Sequence, residues 1–324
     1  MIRAAIAGLG RWGRSLAEAS LNHDRLRIVQ AIEPDVTGAR NFCNEHHLDL
    51  TDNLDAGLAN CAIDAILLAT PHSLHPAQVI SCASARKQVF CEKPLALHRA
   101  DAVRMFEACE KAGVALAVGH NRRFWPSMKA LRDMVASGKL GSILHIEGHN
   151  SNENSNSIVA GWRLSPEESP GGGLTGAGLH ILDAFVSILG PVRRVYARLN
   201  QIEQGPPPLD TATVTLDFAS GVTGTLATLR ATPFYWRVHV FGTKGSAEVL
   251  DDVTLVLRTS GHKPERITYS AINVLQAELD AFVDTIEGKC PFPVSEAQVL
   301  ATLSAFEATL RSMSSGNAVE CDDI

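Results

Sequence analysis

The 324-residue chain is predicted to be an α/β protein with two domains: a doubly wound parallel sheet first, then a strand-rich domain with an antiparallel sheet. Three observations predict this. Over the first third, short β-rich apolar runs alternate with helix-period stretches, and parallel strands need such crossovers, each of which covers a face of the sheet. The first apolar run leads straight into GLGRWG and then a helical stretch. After about residue 123 the rhythm changes, and strands with period-two alternation dominate.

Taken in order, strands are expected at Ile2 to Ala7, Arg27 to Ile32, Ala65 to Ala69, Gln88 to Cys91 and Val114 to Val118, with helices such as Gly13 to Asn22 and Ala100 to Ala112 between them. The boundary is placed at 122/123, giving domains 1–122 and 123–324. In the second, SILHIEGHN, RRVYARLNQ, TATVTLDF, VTGTLATLR, WRVHVFG, VTLVLRT and ERITYS read as strands. Val214, Leu216 and Phe218 alternate with Thr213, Thr215 and Asp217, so one face of that sheet is buried and the other wetter. Two helices close the chain, the first carrying Leu275, Leu279, Phe282, Val283 and Ile286 on one side.

Composition narrows the function classes. With 45% apolar and 20% charged residues and a net charge of -6 without blocks of like charge, the chain suggests neither a nucleic-acid arm nor a membrane-surface helix. A small-molecule substrate is the expectation. The cysteines are scattered, odd in number and free of CxxC spacing, so they read as reduced thiols. The short opening run MIRAAIAGLG lacks the pattern of a signal peptide. Both point to the cytoplasm.

Gly8, Gly10 and Gly13 stand in GxGxxG spacing at a strand-to-helix junction. The first suits a tight turn, the second lets backbone approach a pyrophosphate, and the third lets helix and strand pack closely. Arg11 and Trp12 fill the positions between them. The second strand ends in Glu33, about twenty residues on, where a carboxylate accepts both ribose hydroxyls and repels a 2′-phosphate. NAD is therefore expected, with Arg11 and Arg40 leaving NADP open. Further along, ATPHSLHPAQV, which holds Thr70, Pro71, His72 and His75, and VFCEKPLAL, which holds Glu92 and Lys93, fall where strands should reach their carboxyl ends. Ligands of open α/β sheets bind there.

His180 follows the glycine-rich stretch GGGLTGAG and opens ILDAFVSIL, which places it in the first turn of a helix, where the dipole favours neutral imidazole. Asp183, three residues on, would either orient the ring or contact backbone. His145, Glu147 and His149 share a strand face, but they lack the helical HExxH geometry and no further protein ligand is evident, so no metal is expected. Arg122 and Arg123 would clamp an anionic substrate or pair with acids. Trp162 and Arg163 offer a stacking face and a cation, with core packing the equal alternative. Asn150, Asn152 and Asn154 would line a site mouth or a solvated loop.

As a set, Glu92-Lys93-Pro94, Pro71 and His75, AVGHNRRFWP at 117–126, GKLGSI at 138–143, GGG…GLH at 171–180, FASG at 218–221 and FGTKGS at 241–246 resemble the glucose-fructose oxidoreductase, inositol dehydrogenase and MocA family, nearly end to end. The resemblance implies a Rossmann domain, a C-terminal α/β domain on a large open sheet, and a nicotinamide cofactor between them. It also implies Lys93 and His180 as catalytic groups, with desolvation and a cationic nicotinamide lowering the lysine's pKa. Asn121 joins the cofactor residues. Arg122, Arg123, Trp162, Arg163, Thr175 and His180 fall on the substrate side. One departure stands out: many relatives read Asp-x-Gly-x-His where this chain has Gly176-Ala177-Gly178-Leu179-His180.

The expected function is NAD(P)-dependent hydride transfer with a secondary alcohol or ketone of a sugar, polyol or related cyclic substrate, by a homodimer or homotetramer. The alternatives are a redox-neutral, NAD-retaining epimerase, lyase or glycosidase, and a catalytically inactive dinucleotide sensor.

Overall fold

In the computed structural model of the chain, residues 1–152, 161–203, 209–230 and 232–322 are described. The backbone groups into two compact units, residues 1–121 with 273–296, and residues 122–272 with 297–324. Asn154 and the chain around it lie outside the described residues.

The first unit is a six-stranded sheet in the order β3-β2-β1-β4-β5-β6, with every ladder parallel. Its strands are β1 Ile2–Ala7, β2 Leu26–Ile32, β3 Asp49–Thr51, β4 Ala65–Leu68, β5 Gln88–Glu92 and β6 Leu116–Gly119. Between them run α1 Arg11–Ser20, α2 Val36–His46, α3 Leu54–Ala59, α4 His75–Ser84 and α5 Arg99–Ala112. The central strands are buried on both faces: Ile6, Ile66, Leu67, Val89 and Phe90 have no exposed surface, as a sheet covered on each side requires. Asp35 and Asn53 cap α2 and α3 by accepting amides of their first turns. The strand order reverses between β1 and β4, which puts a crevice at their carboxyl ends. Helix α8 Val274–Ile286 joins this unit. Phe282 meets Phe90 with ring centroids 5.7 Å apart, and Arg25 pairs with Asp280, Asp284 and Glu287 along the helix.

The second unit holds a nine-stranded sheet in the order β14-β13-β12-β11-β7-β10-β9-β8-β15. Its strands are β7 Ile143–Asn152, β8 Val192–Glu203, β9 Leu209–Phe218, β10 Thr223–Arg230, β11 Tyr235–Gly242, β12 Gly245–Val249, β13 Thr254–Thr259, β14 Glu265–Thr268 and β15 Val319–Glu320. All ladders are antiparallel except β7 with β10. Helices α6 Pro126–Ala136, α7 Leu179–Leu189 and α9 Glu296–Ser315 accompany the sheet.

Val214, Leu216 and Phe218 are buried, while Thr213 and Thr215 are exposed, which is the alternation read from the sequence. Gly148 on β7 lets α7 approach closely, because a Cβ there would lie 2.3 Å from Ile181 and 2.7 Å from Phe185. The opposite face is polar. There His145 bonds Thr223 at 2.8 Å, Glu147 pairs with Arg237, and His149 bonds Ser151, so each member of the LHIEGH face has a protein partner. Among the described residues no cluster suited to a metal ion occurs, and no helix is long and apolar enough to cross a membrane.

Candidate active site

In the first unit, the residues expected to hold a dinucleotide gather on one edge of the sheet. Gly8, Gly10, Arg11, Trp12 and Gly13 follow β1; Glu33 follows β2; Thr70, Pro71, His72 and His75 follow β4; Glu92 ends β5 and Lys93 follows it; Asn121 comes just after β6. Parallel pairing puts all five carboxyl ends on the same side.

The glycines divide by role. Gly8 has φ +88°, and a Cβ on it would lie 2.7 Å from the Ala69 carbonyl oxygen; a Cβ on Gly13 would lie 1.9 Å from the Gly8 carbonyl oxygen. These two close the strand–helix turn. Around Gly10 a Cβ would meet nothing within 4 Å, and no side chain caps α1. The open backbone at a helix N-terminus without acidic residues in its first turn suits a pyrophosphate. Glu33 is fixed beside it, accepting the Leu9 amide at 2.7 Å and the Asp35 amide at 3.1 Å. The site therefore fits a dinucleotide on observations of this chain alone. Arg14 bonds the carbonyls of Leu9 and Gly38 and stacks over Phe42 at 4.8 Å, joining α1 to α2. Exposed Arg11 lies over the Trp12 ring at 5.6 Å.

Glu92 is buried. Its carboxylate accepts the Trp12 indole N–H and, at 3.3 Å, the Lys93 amide. A hydrogen bond thus ties the GLGRWG turn to the lysine-bearing turn. Half-buried Lys93 precedes Pro94 through a cis peptide. His75 is completely buried, with Nδ1 2.9 Å from the Pro94 carbonyl and Nε2 3.1 Å from the Thr70 carbonyl. Its ring holds the β4 and β5 turns together. The Thr70 hydroxyl donates to Gln78 at 2.5 Å.

In the second unit, the glycine-rich stretch becomes a turn at Gly171 and Gly172, then a π-helical turn at Leu174–Gly178, then α7. Half-buried His180 is the second residue of α7, but the π-helical turn runs into α7 without a break, so the helical backbone begins at Gly173 and His180 lies about two turns inside it, not in the first turn expected from its position ahead of ILDAFVSIL. Three side chains tether the approach. The Thr175 hydroxyl donates to the Pro170 carbonyl, Asn150 donates to the Ala177 carbonyl at 2.9 Å, and the Asp210 carboxylate accepts the Gly173 amide at 3.1 Å. Gly176 is exposed, and a Cβ there would meet nothing within 4 Å, so packing does not require glycine at the position where many relatives place an acid.

Arg123 is directed inward. Its guanidinium grips Asp183 at 2.8 and 2.7 Å and donates to Gln298 at 2.6 Å. Asp183 is thereby engaged by an arginine fork, and Arg123 meets the acid-pairing alternative read for it. Arg122 stacks over Trp125 at 4.2 Å and Trp236 at 5.6 Å, and burial lowers its pKa to about 10. Arg163 stacks on Trp162 at 4.3 Å. Sequence patterns read Gln298 only as the far member of a capping box opened by Ser295 and did not single out Asp210; their contacts with Arg123 and with the Gly173 amide span long chain separations that no motif encodes.

A family model described as "Oxidoreductase family, NAD-binding Rossmann fold" matches residues 2–120, and one described as "GFO/IDH/MocA C-terminal domain" matches residues 128–248. The chain is 31% identical over 258 residues to 2,7-anhydro-N-acetylneuraminate hydratase of Escherichia coli, covering 77% of this chain and 68% of that protein. It is 29% identical over 350 residues to myo-inositol 2-dehydrogenase of Thermotoga maritima, covering 100% and 99%. Among solved structures, the WlbA dehydrogenase of Bordetella pertussis, in complex with NADH and UDP-GlcNAcA, superposes with TM-score 0.87 at 22% identity, covering 100% and 98%; at that identity the likeness is one of fold.

Proposed function

We propose that this chain, which belongs to the GFO/IDH/MocA family of NAD-binding oxidoreductases, is a dehydrogenase or reductase acting on a secondary alcohol or ketone of a sugar, polyol or related cyclic substrate. The observation that carries this reading is the position of Lys93. It follows β5 on the sheet edge where Gly10 leaves backbone open for the dinucleotide, and Glu92 links the two turns. Bound NAD supplies the hydride acceptor at its nicotinamide.

The rest of the chemistry is the chain's own. Lys93 Nζ, in its neutral form, takes the proton of the substrate hydroxyl as the carbon gives up hydride, and its ammonium returns the proton in carbonyl reduction. His180, on the helix that follows the π-helical turn, is the second proton-handling group. The Trp162–Arg163 pair binds substrate, and Arg122 presents a cation with an aromatic backing; Thr175, fully buried with its hydroxyl given to the Pro170 carbonyl, holds the turn instead. Arg123 acts indirectly, by holding Asp183 on the helix that carries His180. Glu33 favours NAD over NADP by placing a carboxylate where a 2′-phosphate would go.

A second, redox-neutral reading has one specific support: the E. coli relative is named a hydratase. Absorbance of reduced nicotinamide, with NAD and NADP separately and a panel of sugars, inositols, cyclic dihydrodiols and hydroxy acids, separates the two. The dehydrogenase reading expects NAD-linked turnover that Lys93→Met lowers by about 10²- to 10⁴-fold while NADH binding persists. Cofactor released only on denaturation, with no net NADH from any panel member, would favour the redox-neutral reading. Normal NADH binding with no Lys93-dependent turnover of any kind would favour a sensor.

Self-association belongs to the same proposal. The polar sheet face carries exposed Tyr196 and Tyr235 around a depression of about 540 Å³ lined also by Arg198, Glu147 and Arg237, a surface suited to a second copy. Light scattering that returns a monomer mass would sink this part alone.

A further inference from the structure

We propose that Asp210 is a positioning residue: its carboxylate sets the glycine turn that delivers His180. This rests on the catalytic reading of His180 given above.

The carboxylate fills space that side chains leave. Gly171 and Gly172 have φ of +73° and +61°, a region side chains rarely adopt. A Cβ on Gly172 would lie 2.4 Å from Asp210 Oδ2, and one on Gly173 would lie 3.2 Å from Oδ1. Two consecutive glycines therefore make room for one buried carboxylate, whose residue is only 1% exposed. Having no side chains, they cannot be anchored by packing of their own.

The anchor is polar. Oδ1 accepts the Gly173 amide at 3.1 Å, and Oδ2 faces Arg230 Nε at 3.2 Å in a pair whose side chains are 1% and 9% exposed. Burial raises the pKa of Asp210 and Arg230 opposes that rise. The Gly173 bond to Oδ1 is charge-assisted, a class about twice as strong as neutral hydrogen bonds, while Arg230 contributes as an ion pair without a hydrogen bond to Oδ2. From Gly173 the backbone runs without a break through the π-helical turn at Leu174–Gly178 into α7. A shift at Gly173 is thus transmitted to His180, seven residues on. Ile181, Leu182 and Phe185 bury α7 independently of Asp210. Loss of the carboxylate should therefore loosen the entrance to the helix and leave the helix in place, a local opening rather than a global one.

The test uses the full chain and the panel member with the highest NAD-linked turnover. Asp210→Ala is expected to lower kcat about 10- to 100-fold, the range for a misplacement near 1 Å, while NADH affinity stays within about twofold. Asp210→Asn keeps an acceptor for the Gly173 amide and should recover kcat to within about fivefold of the parent.

Hydrogen–deuterium exchange should rise in residues 171–180 of Asp210→Ala and stay unchanged in 1–121. The His180 ring ¹³C resonance, assigned by its loss in His180→Asn, should move in Asp210→Ala and return in Asp210→Asn. Should Asp210→Ala not fold, Gly173→Ala takes its place: Gly173 has helical φ of -59°, and its new Cβ would press on the carboxylate without straining the backbone. The same loss of kcat is expected. A folded Asp210→Ala with parent kcat and an unmoved His180 resonance overturns the proposal. A His180→Asn variant with parent turnover instead overturns the catalytic reading on which it stands.

Discussion

Arg123 and Asp183, sixty residues apart in sequence, form a bidentate pair, with Nε to Oδ2 at 2.8 Å and Nη2 to Oδ1 at 2.7 Å. Their side chains are 4% and 1% exposed. A buried pair gains little over well-packed apolar residues, yet removal of one partner strands a charge. Asp183→Asn or Arg123→Met should each cost about 3–5 kcal/mol in urea unfolding, and Arg123→Met with Asp183→Leu should recover most of it. Single variants that unfold at the parent's midpoint would remove the pair from the stability account.

Gly10 and Gly13 should respond oppositely to the same added methyl. At Gly13 the Cβ would lie 1.9 Å from a carbonyl oxygen, while at Gly10 it meets nothing. Gly13→Ala should lose about 3 kcal/mol of stability through backbone displacement. Gly10→Ala should melt like the parent and lose at least about tenfold in NADH affinity, because the methyl occupies the approach of the pyrophosphate. Thermal melting and NADH titration read the two effects separately.

Trp12 should report on the dinucleotide. Its indole N–H donates to the Glu92 carboxylate, a bond to a charged acceptor of the class worth about 1.5–3 kcal/mol. Trp12→Phe should remove much of the NADH-dependent change in tryptophan fluorescence and weaken NADH binding about 3- to 30-fold, as the lysine-bearing turn loses its tie. An undiminished fluorescence response in Trp12→Phe would place the dinucleotide away from this turn.

Acid should loosen α8. Arg25 lowers the pKa of Asp284 and assists Lys289 in lowering that of Glu287, from ordinary values of 3.8 and 4.5. A carboxyl whose folded pKa is depressed binds fewer protons folded than unfolded. Its stabilisation is present above the ordinary value and lost as pH falls through the folded one. The melting temperature should therefore drop between about pH 5 and pH 3, and Arg25→Ala should flatten that slope. Equal slopes in parent and variant would assign the acid sensitivity to other carboxyls.

Much of the first unit was legible because its signals are local. GLGRWG and Glu33 are read within one strand–turn–helix unit, and parallel pairing brings the turns at Thr70 and Lys93 to the same edge. Expected strand ends differ from the observed ones by a residue or two. Short elements escaped: β3 spans only Asp49–Thr51 and β15 only Val319–Glu320, too brief for an alternation to show. Strand β12 Gly245–Val249 escaped as well: only its first two residues fall in FGTKGS, and GSAEV is too short and too mixed to show an apolar alternation. The apolar stripe of residues 274–286 showed that a helix forms and not which sheet it covers; Phe282 on Phe90 and the Arg25 cluster decide that.

The sequence by itself determined the two kinds of sheet, the dinucleotide turn and the candidacy of Lys93 and His180, since each follows from neighbours in the chain or from motifs of a few residues. Only tertiary structure decided what holds those residues. It set the parallel β7–β10 pair inside an otherwise antiparallel sheet, gave Arg123 to Asp183, and placed Asp210 under the glycines. Those choices join groups separated by between 37 and 78 residues. A buried charge takes whichever partner the completed packing brings within reach, and no local pattern encodes that partner.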